Sequence, residues 1–175
     1  MSADAGKRPA AAAIALCFLL RTGETGGRQV LMGRKKRGFG VGKMVGLGGH
    51  VEPGESVAEA ACREVAEESS VAVRQQDLND VGTVEFVFPA RPQWNMSTRV
   101  FTASVFAGVP VETDEIEPHW FALDDLPVSH MWQDAEHWLP PMLSGRRLAV
   151  TITLRPDNET VAEVYLEELA ALAED

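Results

Sequence analysis

Cysteine is almost missing from this chain. Cys17 and Cys62 are the only two, and neither belongs to a CxxC or CxxH pattern, so a thiolate zinc site and a disulfide framework are excluded as sources of stability. Both read as small apolar side chains in a reducing, cytoplasmic compartment. Positive charge is also scarce. Sixteen Lys and Arg against 26 Asp and Glu leave a formal charge of −10, which offers no footprint for gripping a nucleic-acid polymer. A polyanionic substrate would be repelled unless cations intervene, which points to a divalent metal if that substrate carries phosphates. Long hydrophobic runs are lacking too. The longest near the start, Ala10–Leu20, has eleven residues, well short of the roughly 20 that span a bilayer. Lys7 and Arg8 before it imitate a secretion signal, but polar Arg21-Thr22-Gly23-Glu24 follows in place of a small-residue cleavage site. The run reads as a buried first strand, with no membrane partner.

What is there suits one sizeable core. The chain has 175 residues, 45% hydrophobic and 24% charged, the mix of a soluble globular protein, and the elements along it read as one α+β domain. Residues 1–8 read as a disordered tail and residues 9–175 as a single domain. Ala10–Leu20 and Gln29–Lys36 are two strands around a glycine-rich connection. Residues 37–49 hold six glycines in thirteen positions, so the backbone there needs conformations that other residues resist. Ser56–Ser69 reads as a helix. Asp80–Phe88 and Ser97–Ala107 read as paired strands, Glu117–Leu123 and Leu148–Leu154 as further strands, and Asp134–Leu143 as a helix despite Pro140 and Pro141. Thr160–Ala173 is ambiguous, because its apolar spacing suits a helix while its first part could pair as an edge strand.

The Ser56–Ser69 helix carries the chemistry. Ser56-Val-Ala-Glu59 has the pattern of a capping box, and Glu64, Glu67 and Glu68 then fall at i, i+3 and i+4 on one face. Like charges at that spacing cost an isolated helix about 0.2–0.5 kcal/mol per pair, and Arg63 is the one cation nearby. Three glutamates alone would describe a solvated face as readily as a site. The wider spacing decides: Gly49, five residues, Glu55, seven residues, Arg63-Glu64-Val65, then Glu67-Glu68 and the aliphatic Val71. This run resembles the Nudix box position by position. One place departs, Ser70, where the family has a glycine that helps the chain leave the helix.

The resemblance implies a Nudix fold, an α/β/α sandwich with a mixed central sheet, and hydrolysis of a nucleoside diphosphate linkage. It implies Mg²⁺, with Mn²⁺ as a substitute, held by Glu64, Glu67, Glu68 and the backbone carbonyl of Gly48. Glu115, outside the box, matches a further glutamate of the family's site. Such a metal neutralises phosphates, orients the attacking water and lowers its pKa. Arg63 would pair with Glu55 and hold the loop to the helix, and Glu64 or Glu68 would act as base.

Residues 33–50, Val111–Phe121, Met131–Asp134 and Trp138 are similar in addition to the MutT-type oxidised-purine nucleoside triphosphatases of this family, the 8-oxo-dGTP diphosphatases that sanitise the nucleotide pool in support of DNA repair. That likeness implies a nucleotide substrate and a monomer or weak homodimer. Phe39, Phe86, Phe88, Met96 and Trp132 would line the base pocket, with Trp132 stacking on the base. Lys35 would sit near the mouth, Asp134 would accept or share a proton at the base edge, and Trp138 would be core. Two positions depart. Val45 stands where these enzymes carry an asparagine that reads the purine, and Ala135 stands where they carry a second aspartate. Glu136 or His137 could supply a replacement contact, which spacing alone does not show. Other readings are a Nudix hydrolase of another (d)NTP or of a dinucleoside polyphosphate, and a nucleotide-sensing module without turnover.

Overall fold

Alternation along the first strand decides the layering. Ala15, Cys17 and Leu19 pack on one face of the sheet with Leu31, Ala60, Ala61 and Val65, while Phe18 and Leu20 pack on the other with Val30, Met32, Trp138, Leu139 and Met142. Successive strand side chains point to opposite faces, so one strand feeds two cores. The computed structural model describes residues 11–173; the tail expected at residues 1–8 lies outside them. Its strands are β1 (Ala12–Thr22), β2 (Arg28–Lys35), β3 (Met44–Val45), β4 (Leu47–His50), β5 (Asn79–Val87), β6 (Met96–Ala103), β7 (Ile116–Ala122), β8 (Leu148–Leu154) and β9 (Val161–Glu168). Its helices are α1 (Val57–Ser69) and α2 (Ala135–Leu143).

The strands lie in the order β3-β2-β1-β6-β5-β8-β9, with β4 also on β1 and β7 on β2. The β1–β6 and β5–β8 pairs are parallel and the others antiparallel, so the sheet is mixed. One helix covers each face, α1 with the Ala15 side and α2 with the Phe18 side. This is the α/β/α sandwich.

One segment differs from the sequence reading, and one left open there is resolved. The sixth strand stops at Ala103 rather than running to Ala107, which instead bridges to Ala72 beyond the end of α1. Val161–Glu168 is an edge strand on β8, not a helix. Its apolar spacing served both options, and the open edge of β8 decides for the strand.

Helix α1 begins as the sequence predicts. The Ser56 hydroxyl accepts from the Glu59 amide at 3.0 Å, and the Glu59 carboxylate accepts from the Ser56 amide at 2.7 Å. It ends on Ser70, whose φ of 65° lies in the left-handed region, the conformation for which a glycine is favoured. Ser70→Gly should therefore raise stability by about 0.5–1 kcal/mol, read as a shift in the denaturant midpoint at unchanged slope.

Candidate active site

The last turns of α1 face β4, and the contact is close enough to demand glycine. A Cβ on Gly48 would collide with the carbonyl oxygen of Ala15, and one on Gly49 would sit 2.5 Å from Glu64 Oε1. These bare backbones let carboxylates approach the strand.

Arg63 organises them. Its Nε and Nη2 donate to the two Glu55 oxygens at 2.7 and 3.0 Å, and Nη2 also donates to the His50 carbonyl at 3.1 Å. Its Nη1 donates to Glu64 Oε1 at 3.0 Å and to Glu67 Oε2 at 3.2 Å. The bidentate fork on Glu55 holds the 50–55 loop to the helix, as the spacing suggested. Hydrogen bonding from Arg63, then from the Glu52 amide region, keeps the Glu55 carboxyl below its ordinary value.

Glu68 is different, because no cation among the described residues pairs with it. It is 5% exposed and accepts one hydrogen bond from the Gly48 amide at 2.9 Å. Burial, and then repulsion from Glu64 and Glu115, push its pKa from 4.5 to about 8 despite that amide. Glu115 itself accepts from Arg37 at 2.9 Å. Glu64, Glu68 and Glu115 thus share one field, with Glu67 a turn away on the exposed side. With Arg63 and Arg37 drawing on them, no three His, Cys, Asp or Glu side chains among the described residues close on a single point. The donor set nevertheless suits a hard divalent cation: several carboxylate oxygens, one of them buried and electrostatically short of positive charge.

A cavity of about 260 Å³ opens beside this cluster. Gly48, Gly49 and Glu68 lie at one end. The remaining wall is largely apolar, from Leu16 and Phe18 of β1, Phe86 and Phe88 at the end of β5, Met96 of β6, and Met131, Trp132, Ala135 and Trp138. All the expected pocket residues line it: Lys35, Phe39, Val45, Phe86, Phe88, Met96, Trp132 and Asp134. Trp138 is buried, as expected for core, yet it also reaches the cavity.

The mouth is aromatic. Phe39 stacks on Trp132 with ring centroids 5.1 Å apart and planes 16° apart, so the tryptophan's stacking partner here is a side chain. Lys35 Nζ donates to the Phe39 carbonyl at 2.7 Å and draws the 36–43 loop closed. A side chain at Gly40, whose φ is +82°, would meet the Trp132 ring at 2.9 Å. Asp134 is buried and accepts from Trp138 Nε1 at 2.8 Å. Burial raises its carboxyl above the ordinary value against that hydrogen bond.

Two residues that sequence reasoning offered do not join the site, and besides apolar wall residues such as Leu16, Phe18 and Met131 it missed Trp94, Asn158 and Glu159. Glu136 and His137 lie on the exposed side of α2, 3.8 Å from each other, and do not line the cavity. Helical rotation turns them outward once Ala135 and Trp138 face in. Trp94, edge-on to Phe39 at 5.8 Å and to Phe88 at 6.0 Å, belongs to the mouth. A tryptophan in an otherwise polar loop was the available signal. Asn158 and Glu159, in the β8–β9 turn, also line the cavity, and no sequence pattern marked them.

Comparison with known proteins agrees with this geometry. The NUDIX domain model matches residues 10–142. The chain belongs to the Nudix family. Nudix proteins of this kind are hydrolases of phosphoric anhydrides that use a divalent metal. The chain is 43% identical over 144 residues to the oxidized purine nucleoside triphosphate hydrolase of Danio rerio, covering 82% of this chain and 90% of that one. To the enzyme of the same name from Mus musculus it is 36% identical over 142 residues, covering 81% and 88%. The crystal structure of the mutator MutT protein from Bacillus halodurans superposes with a TM-score of 0.73 at 23% identity, covering 89% of this chain and 97% of that one. No helix among the described residues is long and apolar enough to cross a membrane.

The crowding at Glu68 predicts a measurable linkage. Glu68→Gln keeps an acceptor for the Gly48 amide and removes one of the repelling charges, so the metal-free variant should melt a few degrees higher than wild type. Wild type should gain stability on adding MgCl₂, by mass action on the folded state, and the variant should gain little. Thermal melts in chelator and in MgCl₂ check both. A wild-type melt indifferent to divalent ions would refute the metal site.

Proposed function

We propose that this Nudix hydrolase is a Mg²⁺-dependent nucleoside triphosphate diphosphatase acting on oxidised purine nucleotides and releasing the monophosphate and pyrophosphate. The observation that carries the reading is the continuity of one cavity, aromatic and apolar at one end and bounded at the other by the buried Glu68 carboxylate and the Gly48 backbone. A nucleotide has the same polarity: a flat, stackable base and a polyanionic tail.

Glu64, Glu67, Glu68, Glu115 and the Gly48 carbonyl would hold the metal, which supplies charge neutralisation of the phosphates and a more acidic bound water. Mn²⁺ would serve in its place. Of Glu64 and Glu68, only Glu68 lines the cavity, which supports it as the group that takes the proton of the attacking water. Arg63 keeps Glu64 and Glu67 in register with the loop. Trp132 and Phe39 would enclose the base, with Phe86, Phe88 and Met96 as its apolar bed, Asp134 at its edge and Lys35 near the mouth. Two free cysteines support a reducing, cytoplasmic setting. The net charge supports free nucleotides rather than nucleic-acid polymers as partners, and we assign a monomer or weak homodimer acting as one domain.

The apolar wall at Val45 and Ala135 favours a broader substrate range within the same chemistry. An apolar pocket discriminates weakly, whereas a site that reads groups by hydrogen bonds discriminates strongly.

With Mg²⁺ present, purified protein should convert 8-oxo-dGTP to 8-oxo-dGMP and pyrophosphate, and Glu68→Gln should nearly abolish turnover. Product chromatography after reaction in ¹⁸O-water checks the bond cleaved; orthophosphate with a nucleoside diphosphate would refute the assignment, as would activity persisting in excess chelator.

Val45→Asn with Ala135→Asp should raise the kcat/KM ratio of 8-oxo-dGTP over dGTP, and each change alone should do less, because neighbouring contacts couple. A wild type that already discriminates a thousandfold, with no gain in the double variant, would show that other groups read the base.

A further inference from the structure

The cavity has a polar group that the mechanism above does not use. The β8–β9 turn runs from Arg155 to Thr160 and is tightly held. Its Asp157 carboxylate accepts from the Glu159 amide at 3.0 Å, the Thr160 amide at 2.9 Å and the Thr160 hydroxyl at 2.6 Å. The Arg155 amide donates to the Thr160 carbonyl and the Asn158 amide to the Arg155 carbonyl, both at 2.8 Å. Gln133, between Trp132 and Asp134, accepts from the Val161 amide at 2.6 Å. The turn is therefore tied directly to the segment that carries two of the pocket residues.

Asn158 stands at the centre of this turn with a φ of 58°. It lines the base cavity together with Trp132 and Asp134, and it also lines the smaller cavity beside it, bounded by Phe39, Trp94 and Trp132. Its side-chain oxygen is shut away from solvent and has no hydrogen-bond partner, alone among the buried side-chain nitrogens and oxygens of the described residues. Buried acceptors are paired in nearly all native proteins, and one left unpaired is costly. Of the other polar side chains on the wall, Asp134 is engaged by Trp138 and Lys35 by the Phe39 carbonyl, while Glu159, next in the same turn, is exposed to solvent.

We propose that Asn158 is a specificity-determining residue whose side-chain carbonyl accepts a hydrogen bond from an N–H on the edge of the bound nucleobase. This rests on the nucleotide reading of the cavity. The inference accounts for a deficit as well as an excess. Val45 and Ala135 present no polar atom to the base from β3 or α2, and the unpaired acceptor lines the same cavity on a turn locked in place. An acceptor selects a donor edge. In an 8-oxopurine, N7 carries a hydrogen where the unmodified purine has a lone pair, so a contact there would favour the oxidised base.

The test uses the full chain and two variants that tolerate a positive φ. Asn158→Gly removes the amide without backbone strain, and Asn158→Asp keeps an acceptor oxygen at the same reach. Calorimetric binding of 8-oxo-dGMP and of dGMP needs no turnover. Asn158→Gly should bind 8-oxo-dGMP about tenfold more weakly, with its melting temperature equal to or above that of wild type, and Asn158→Asp should restore most of the affinity. In hydrolysis, KM should rise about tenfold at nearly constant kcat. A loss confined to 8-oxo-dGMP assigns the contact to N7–H, and an equal loss on dGMP assigns it to an N–H the two bases share. Wild type that binds the nucleotides with Asn158→Gly equally tight overturns the role of Asn158 and leaves the nucleotide reading standing. Wild type that binds neither nucleotide overturns both.

Discussion

The arrangement of the molecule turns on how closely α1 can lie against β4. Glu64 fits because Gly49 leaves room for its carboxylate, the bare Gly48 lets β4 close on β1, and the Gly48 amide holds Glu68 against the strand. With any Cβ at Gly48, the strand and the Ala15 carbonyl would have to part. That contact also brings charge together. Carboxylates on successive turns repel, and burial of Glu68 removes the water that would screen them. Arg63 offsets part of this by binding three glutamates and a loop carbonyl at once. It leaves Glu68 without a cation. A protein that needed only stability would gain by replacing this residue, so its retention is best explained by a ligand that brings positive charge.

The same contact connects the two ends of the cavity. Strand β4 follows the 36–43 loop, which carries Phe39 over Trp132, and it leads through the loop at Glu55 into α1. A short stretch of chain therefore positions the aromatic mouth, the glycine floor and the carboxylates. Closing of the 36–43 loop through Lys35 places the stacking residues at a set distance from the helix end. The base end and the phosphate end are coupled by backbone, not by a shared polar network.

Much of this was legible before any coordinates. The spacing from Gly49 to Val71 named the helix, its cap, the Arg63–Glu55 pair and the glutamate face, because each depends on local periodicity and on chemistry at fixed offsets. Val45 and Ala135 were visible as departures only through the resemblance to the oxidised-purine nucleoside triphosphatases. What escaped was set by long-range packing. Residues 161–168 became a strand because β8 offered an edge. Glu136 and His137 turned outward because Trp138 and Leu139 took the core. Asn158 acquired its place from a turn whose position depends on Gln133, 28 positions away in the chain.

The division of labour across the cavity explains why changes at the base end need not disturb the chemistry. Stacking surfaces bind any flat base, and the carboxylate end responds only to phosphate and metal, so neither reports the identity of the base. That information must come from hydrogen-bonding groups on the rest of the wall. When β3 and α2 contribute Val45 and Ala135 there, rejection of a wrong base cannot come from leaving their polar groups unpaired. It has to come from elements outside the box and outside the aromatic mouth. The β8–β9 turn meets that condition. It is braced by Asp157 and, through the Val161 amide, by Gln133, and it lies outside the strand–helix contact that places Glu68. On the proposed reading, selectivity for the base belongs to the far edge of the sheet, while hydrolysis belongs to the strand–helix contact.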